Sequence, residues 1–464
     1  MKRRVGGLET EYGLVCVRAD GSRALEPEAA ARELFRPVVA LGRSSNVFLE
    51  NAARLYLDVG SHPEIATAEC DDWWELVAQD RAGERILADL AAQANARLAA
   101  QGEDARIHLL KNNVDSAGNS FGSHENYLVD RRGEFTRLPA ALLPFLVTRQ
   151  IITGAGGVVT EDDGEGGSRG RFVFSRRSDH MWESVSSATT RTRPIINTRD
   201  EPHGDATRFR RLHVIVGDST MSEVSTWLRF ATTSLVLRLV ESGQVLPDLR
   251  LADDIAAIRA VSRDLGGHGA LELADGGTVT PVEVQQRFLD LAAPLADEAE
   301  HEILDAWQRG IDAVRTGDLS WARTHLDWAI KKTLFEDVAA RRGLDLASPQ
   351  IERLDLAYHD IDPHAGLLSR LQASGRAVRV LPEERIEAAR TTAPTTTRAH
   401  LRGQVVSAAI AHGVDHVVDW TTMRLVRQGA MPVTVLDPFA TESSEVDALL
   451  AEIRSRATSA PPPA

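Results

Sequence analysis

Arg54-Leu55-Tyr56-Leu57-Asp58-Val59 alternates polar and apolar side chains at every step, within a strand predicted over Ala53 to Val59. Period two places Leu55, Leu57 and Val59 on one face, for a core, and Arg54, Tyr56 and Asp58 on the other. Upstream, residues 5–17 read as one strand, on which Glu9 and Glu11 are two apart and therefore share a face. Such a pair suits oxygen ligation of a hard cation such as magnesium, and equally suits a plain exposed strand face. If the two strands are neighbours, one concave face collects Glu9, Glu11 and Asp58. That is more carboxylate than a structural face needs, and crowded carboxylates repel unless a metal or an arginine neutralises them. The following loop, Gly60 to Glu69, adds Glu64 and Glu69, with Gly60 and Pro63 fitted to a defined turn. His62 alone supports no assignment.

Outward from these strands, Pro27 to Ala40 is helical in character, and Asp72 to about Gln101 has the period of a long amphipathic helix with Asp71 or Asp72 as N-cap. Strand signals recur at 106–110, 126–129, 171–174 and 212–217, separated by long connections and without a βαβ rhythm. The fold predicted is α+β, a large and mostly antiparallel sheet. Helical periodicity over 223–241, 281–316 and 321–342, with Gly243, Gly317 and Gly343 near the ends, supplies helices to cover it. Residues 398 to about 453 form a compact segment, which divides the chain into a catalytic unit at 1–390, a small C-terminal domain at 391–457 and a disordered tail at 458–464. The acidic, glycine-rich Glu161 to Gly170 reads as a flexible surface loop, because the Lys-Ser/Thr that completes a phosphate cradle is missing.

Composition narrows the function classes. With 53 Lys+Arg against 67 Asp+Glu, the formal charge of −14 disfavours nucleic acid and anionic membrane as partners. Only two cysteines, Cys16 and Cys70, occur, without metal spacing, which fits a reducing, cytoplasmic setting. The basic start at Lys2 to Arg4 runs into a segment broken by Glu9 and Glu11, so no signal-peptide core is expected.

A more specific indication comes from GLETEYG at 7–13, NAARLYLDVGSHPEIATAEC at 51–70, KNNVDSAGNSFGSHENYL at 111–128 and INTRDEPH at 196–203. Together with RRLHVIVGD at 210–218, DLAYHDI at 355–361 and TTRAHLRG at 396–403, these resemble the Pup ligase and Pup deamidase family, in order along nearly the whole chain. The resemblance implies kinship with glutamine synthetase and glutamate–cysteine ligases, hence an open antiparallel cradle for ATP and magnesium plus a small C-terminal domain. It implies Asp58 as catalytic base, Glu9, Tyr56 and Glu64 at magnesium, and Arg54, Thr67 and Trp420 at ATP. A neutral phenol is a poor magnesium ligand, so a water-mediated contact suits Tyr56 better. Without the resemblance, Trp420 would read as a core aromatic.

The implied reaction is ATP-dependent ligation of the C-terminal glutamate of Pup to lysines of target proteins through a glutamyl phosphate, marking them for proteasomal degradation. The deamidase branch carries a long insertion between the first helix and the second strand, whereas here Arg36 reaches Asn51 in 15 residues. The wording at 57–64 and 185–197 is also ligase-like. Arg199, Arg210 and Arg211 are candidates to meet Pup carboxylates, or are structural ion pairs. A deamidase, a small-molecule glutamate ligase and a silent Pup adaptor are the competing readings.

Overall fold

Residues 5–17 form two strands rather than one. In a computed structural model, β1 (Gly6–Glu11) ends at Tyr12, whose N–H donates to the Pro63 carbonyl at 2.9 Å, and β2 (Gly13–Val17) departs into another sheet. Gly13 allows the divergence, since a Cβ there would lie 2.7 Å from Asn112 Oδ1. The structure describes residues 1–464 except 43, 59, 116–117, 132–136, 163–166, 189–192 and 458–464.

Along the chain follow β3 (Arg23–Leu25), α1 (Pro27–Gly42), β4 (Asn46–Phe48), β5 (Arg54–Leu57), β6 (Pro63–Ala66), α2 (Trp73–Ala100), β7 (Arg106–Leu110) and β8 (Ser123–Asp130). Then come β9 (Gly157–Asp162), β10 (Ser168–Val173), β11 (Glu183–Ser186), β12 (Pro194–Asn197) and β13 (Phe209–Val214). The principal sheet has eight strands in the order β11-β12-β13-β8-β1-β6-β5-β4. Only β11 and β12 run parallel in it, so the α+β, mostly antiparallel expectation holds. Two of the strands read from the sequence lie elsewhere: β7 pairs with β2, and β10 pairs with β9 in a separate hairpin.

That hairpin corrects the reading of 161–170. Asp162 pairs with Ser168 and Glu161 with Arg169, so both flanks are strand, while 163–166 fall outside the described residues. The predicted tail at 458–464 also falls outside them.

The rear of the sheet is buried under α2 and the helix Glu223–Glu241. Leu8, Leu55, Ile65 and Tyr127 point there, each at most 2% exposed. Asp72 caps α2 by accepting from the Glu75 N–H at 2.6 Å, as its position before the apolar period predicts. Gly83 lets α2 approach, because a Cβ there would meet Ile65 Cδ1 at 3.0 Å. The predicted helices at 281–316 and 321–342 are each interrupted: Pro281–Ala292 precedes His301–Thr316, and Ala322–His325 precedes Asp327–Arg342. Gly317 and Gly343 stop their helices with φ of 75° and 63°, values glycine adopts without penalty.

Near the C-terminus, the helices Ala399–Ala411 and Ser444–Ala457 pack with a three-stranded sheet, 416–418, 422–425 and 433–434. Val405, Met423, Leu425, Val446 and Ile453 belong to an apolar cluster of its own. This unit meets the large sheet through Ala393 and Ala399 against Ala52 and Ala68.

Candidate active site

Register, more than proximity in sequence, builds the cradle face. Arg54 on β5 opposes Ala66 on β6, Ala66 opposes Glu9 on β1, and Glu9 opposes His124 on β8. One pleat along, Tyr56 opposes Glu64 and Glu64 opposes Glu11. The strands bearing Glu9 and Tyr56 are thus not neighbours, because β6 lies between them. The segment after Asp58, read as a loop, is a tight turn followed by that strand. Gly60 (φ 89°) and Ser61 (φ 64°) make the turn, and Asp58 N–H donates to the His62 carbonyl at 2.9 Å. Asp58 itself stands exposed at the end of β5.

The carboxylates of this face experience opposite fields. Burial raises the pKa of Glu9, but a hydrogen bond from His124 and the charges of His213, His124 and Arg211 outweigh it and hold the carboxyl near 2. Glu64 is pushed up to about 8 by burial and then by Glu9, with Asp58 and Glu11 adding repulsion and the Tyr56 hydroxyl opposing it. Burial and the same two glutamates push the Tyr56 phenol far above its ordinary value, so it is a neutral donor to Glu64. Arg54 lies over the Tyr56 ring at 4.7 Å and donates from Nε to Asn46 Oδ1 at 2.9 Å, which fixes its guanidinium plane. Glu11 accepts from Gly122 N–H at 2.6 Å and pairs with His62 Nδ1 at 2.6 Å.

These residues fit a divalent cation. Glu64 sits among three other carboxylates, Glu9, Asp58 and Glu11, whose charges all oppose its ionisation, an arrangement that a bound cation would relieve. A further donor set adjoins it: Glu9, His124 and His213 place ligand atoms within 4.8 Å of one another. His213 is 6% exposed, both its ring nitrogens lack a hydrogen-bond partner, and burial drives its pKa down to about 3, so it is charged only in the acid range where Glu9 titrates and presents a neutral imidazole near pH 7.

Beside the carboxylates, a pocket is lined by Gly7, Glu9, Thr67, Arg211, Arg398 and Trp420 among others. Thr67 Oγ1 accepts the Leu8 N–H at 3.1 Å and so pins β1. Trp420, from the C-terminal unit, is half-buried and meets Phe48 edge-on at 5.0 Å, instead of filling a core. Of the three arginines considered for Pup, Arg199 pairs with Glu201 at 3.0 Å and Arg210 with Asp200 at 2.9 Å. Arg211 also pairs with Glu201, at 3.7 Å, but in addition lines the pocket and donates to Asn126 Oδ1 at 3.0 Å.

Comparison with known proteins identifies what such a cradle belongs to. A family model described as Pup-ligase protein matches residues 4–424. The chain belongs to the Pup-ligase family. It is 77% identical to the Pup–protein ligase of Brachybacterium faecium, over 99% of this chain and 98% of that one. It is 50% identical to the Pup–protein ligase of Nakamurella multipartita, over 97% and 99%. A crystal structure of the complex between prokaryotic ubiquitin-like protein Pup and its ligase PafA superposes with a TM-score of 0.93 at 44% identity, covering 99% of this chain and 93% of that chain. PafA in complex with ADP superposes at 0.84 with 45% identity, covering 94% and 95%.

Among the family residues, Glu9, Arg54, Tyr56, Asp58, Glu64 and Thr67 come together on or beside one face, with Trp420 across the pocket. His124 and His213 went unassigned from the sequence although they lie inside quoted family segments. On β8 His124 alternates with buried neighbours, whereas on β13 His213 is buried like Leu212 and Val214 beside it, and the meeting of both with Glu9 depends on register between distant segments.

Proposed function

We propose that this Pup-ligase family member joins the C-terminal glutamate of Pup to lysine side chains of target proteins, using ATP and magnesium. The observation that carries this reading is 77% identity to a Pup–protein ligase over 99% of the chain, together with a cradle that has Asp58 at the rim of a carboxylate cluster adjoining a pocket. The ligase branch also suits the short passage from α1 to β5, where the residues described between Gly42 and Arg54 include β4.

A carboxylate is a poor acyl donor. Its oxygen attacks the γ-phosphorus of ATP, the bond to the β-γ bridging oxygen breaks, and glutamyl phosphate and ADP form. Catalysis of such a step rests on alignment and on neutralising charge at the transferring oxygens. Arg54, Thr67 and Trp420 are the residues we assign to hold ATP. Glu9 and Glu64 would hold magnesium, with His124 and His213 as further donors and Tyr56 acting through its hydrogen bond to Glu64. Magnesium supplies neutralisation of the phosphate charge there.

The lysine nitrogen then attacks the acyl carbon, phosphate leaves and an amide forms. At pH 7 free lysine is neutral in only about one molecule in a few thousand, a handicap of roughly 4.5 kcal/mol. General-base catalysis is worth about 10²- to 10⁴-fold, a similar size. We assign the base to Asp58, whose exposed place at the end of β5 is open to an incoming protein side chain. We treat 391–457 as a C-terminal domain contributing Trp420, and the cytoplasm as the site of action; no described helix is long and apolar enough to cross a membrane.

The test is incubation with glutamate-ended Pup, a lysine-bearing protein, ATP and magnesium, read by intact mass and ADP release. An adduct one water lighter than its parts, with one ADP per bond, is expected. Conversion of glutamine-ended Pup without adduct would favour the deamidase instead.

A further inference from the structure

Glu69 lies just beyond β6 at the floor of the pocket and receives two arginines from the helix Ala399–Ala411 and its N-cap. Arg398 Nε donates to Glu69 Oε1 at 3.0 Å, and Arg402 Nη1 donates to the same oxygen at 3.2 Å while Nη2 reaches Oε2. Burial raises the Glu69 pKa, but Arg402 and then Arg398 overcome it and hold the carboxyl at about 2. Arg398 and Arg402 are 4% and 2% exposed, so a buried ion cluster joins the C-terminal unit to the cradle.

Further donors of these arginines go to backbone carbonyls around the pocket. Arg402 donates to the Trp420 carbonyl at 3.0 Å and the Ala52 carbonyl at 3.3 Å, and Arg398 donates to the His203 carbonyl. Ala52 and His203 have φ of 63° and 45°, left-handed values that residues other than glycine rarely adopt and that persist where surroundings hold them. The Arg402 guanidinium also lies 5.0 Å from the Phe48 ring and 5.1 Å from the Trp420 ring. One side chain thus grips the backbone of Trp420 and stacks against its indole.

We propose that Arg402 is a positioning residue of the nucleotide site, acting through Trp420: the Glu69-anchored guanidinium sets the indole where it meets ATP, and so makes nucleotide affinity depend on docking of the C-terminal unit. This rests on the assignment of Trp420 to ATP. Lysine keeps the charge of Arg402 but lacks the planar fork that makes these bonds together.

Calorimetric titration of the full-length protein with ADP and magnesium tests both layers. Affinity is expected to fall about tenfold in Trp420→Ala, about tenfold in Arg402→Lys, and by little more in the double variant, because coupled residues are non-additive. Wild-type affinity in Trp420→Ala would remove the assignment of Trp420. A weakened Trp420→Ala beside an unaffected Arg402→Lys, or multiplying losses in the double variant, would overturn the role of Arg402 alone. Should Arg402→Lys melt early, the same titrations are made well below its melting midpoint, where the protein is fully folded; equal ADP affinity of Arg402→Lys and wild type there would overturn the proposal.

Discussion

Binding of magnesium to this cradle should expel a proton, and Glu64 should be its source. With its carboxyl near pKa 8 in the metal-free protein, Glu64 is roughly nine-tenths protonated at pH 7 and about one-tenth at pH 9. A cation that takes the ionised form therefore releases about 0.9 proton at pH 7 and about 0.1 at pH 9, and its affinity is about tenfold weaker at the lower pH. Titration calorimetry in two buffers of different ionisation enthalpy reads the proton count directly. Glu64→Gln should abolish the difference between buffers. The same shift acts on stability. The folded state holds a proton that an unfolded glutamate, with an ordinary value of 4.5, has already lost. Stability from Glu64 therefore falls as pH rises toward 8 and is level above it. His213 and His359, held near pKa 3 against an ordinary 6.5, act in the opposite sense and only below 6.5. Between pH 6.5 and 8 the Glu64 contribution amounts to roughly 2 kcal/mol, seen as a slope in the metal-free protein that Glu64→Gln lacks. His62, also raised by Glu11, slopes the same way and cancels in that comparison. Buffer-independent heats at pH 7 would refute the reasoning.

Other consequences concern separate parts of the structure. Glu9→Ala should weaken magnesium-dependent nucleotide binding by about tenfold or more, since it removes a donor shared by both candidate ligand groups; unchanged nucleotide affinity at low magnesium would argue against a metal role. Arg211→Ala should reduce ADP affinity several-fold, on the order of a lost charge-assisted hydrogen bond, and leave Pup affinity nearly intact in a fluorescence titration; the reverse pattern would return Arg211 to Pup. Ile65→Ala, behind the cradle against Gly83 of α2, should cost about 2–5 kcal/mol in chemical denaturation, and a loss below about 1 kcal/mol would mean the sheet does not depend on that contact.

The cradle face was legible where it depended on one strand. Alternation over Arg54 to Asp58 put three polar side chains together without knowledge of any partner. Which strand comes next is not legible, because Pro63-Glu64-Ile65-Ala66 is short and follows a turn; it reads as loop, and the sequence leaves the pairing of the strands of Glu9 and Tyr56 as a condition that β6 does not meet. Contacts between distant segments left no local trace. His124 and His213 reach Glu9 through the pairing of β8 with β1 and β13, and Arg402 reaches Glu69 across 333 residues. Trp420 carried a core-like pattern because its pocket exists only where the C-terminal unit meets the sheet. Helix ends were read best, since Asp72, Gly317 and Gly343 act through the backbone beside them.

Asp58 is the proposed base that prepares lysine after the acyl phosphate has formed. The most direct test offers Asp58→Asn two nucleophiles with Pup, ATP and magnesium: a lysine-bearing protein, and hydroxylamine, which is already neutral at pH 7. Hydroxamate formation and ADP release within about tenfold of wild type, with lysine ligation slowed about 10²-fold or more, is the predicted result. Equal loss with both nucleophiles, or lysine ligation at the wild-type rate, would contradict it.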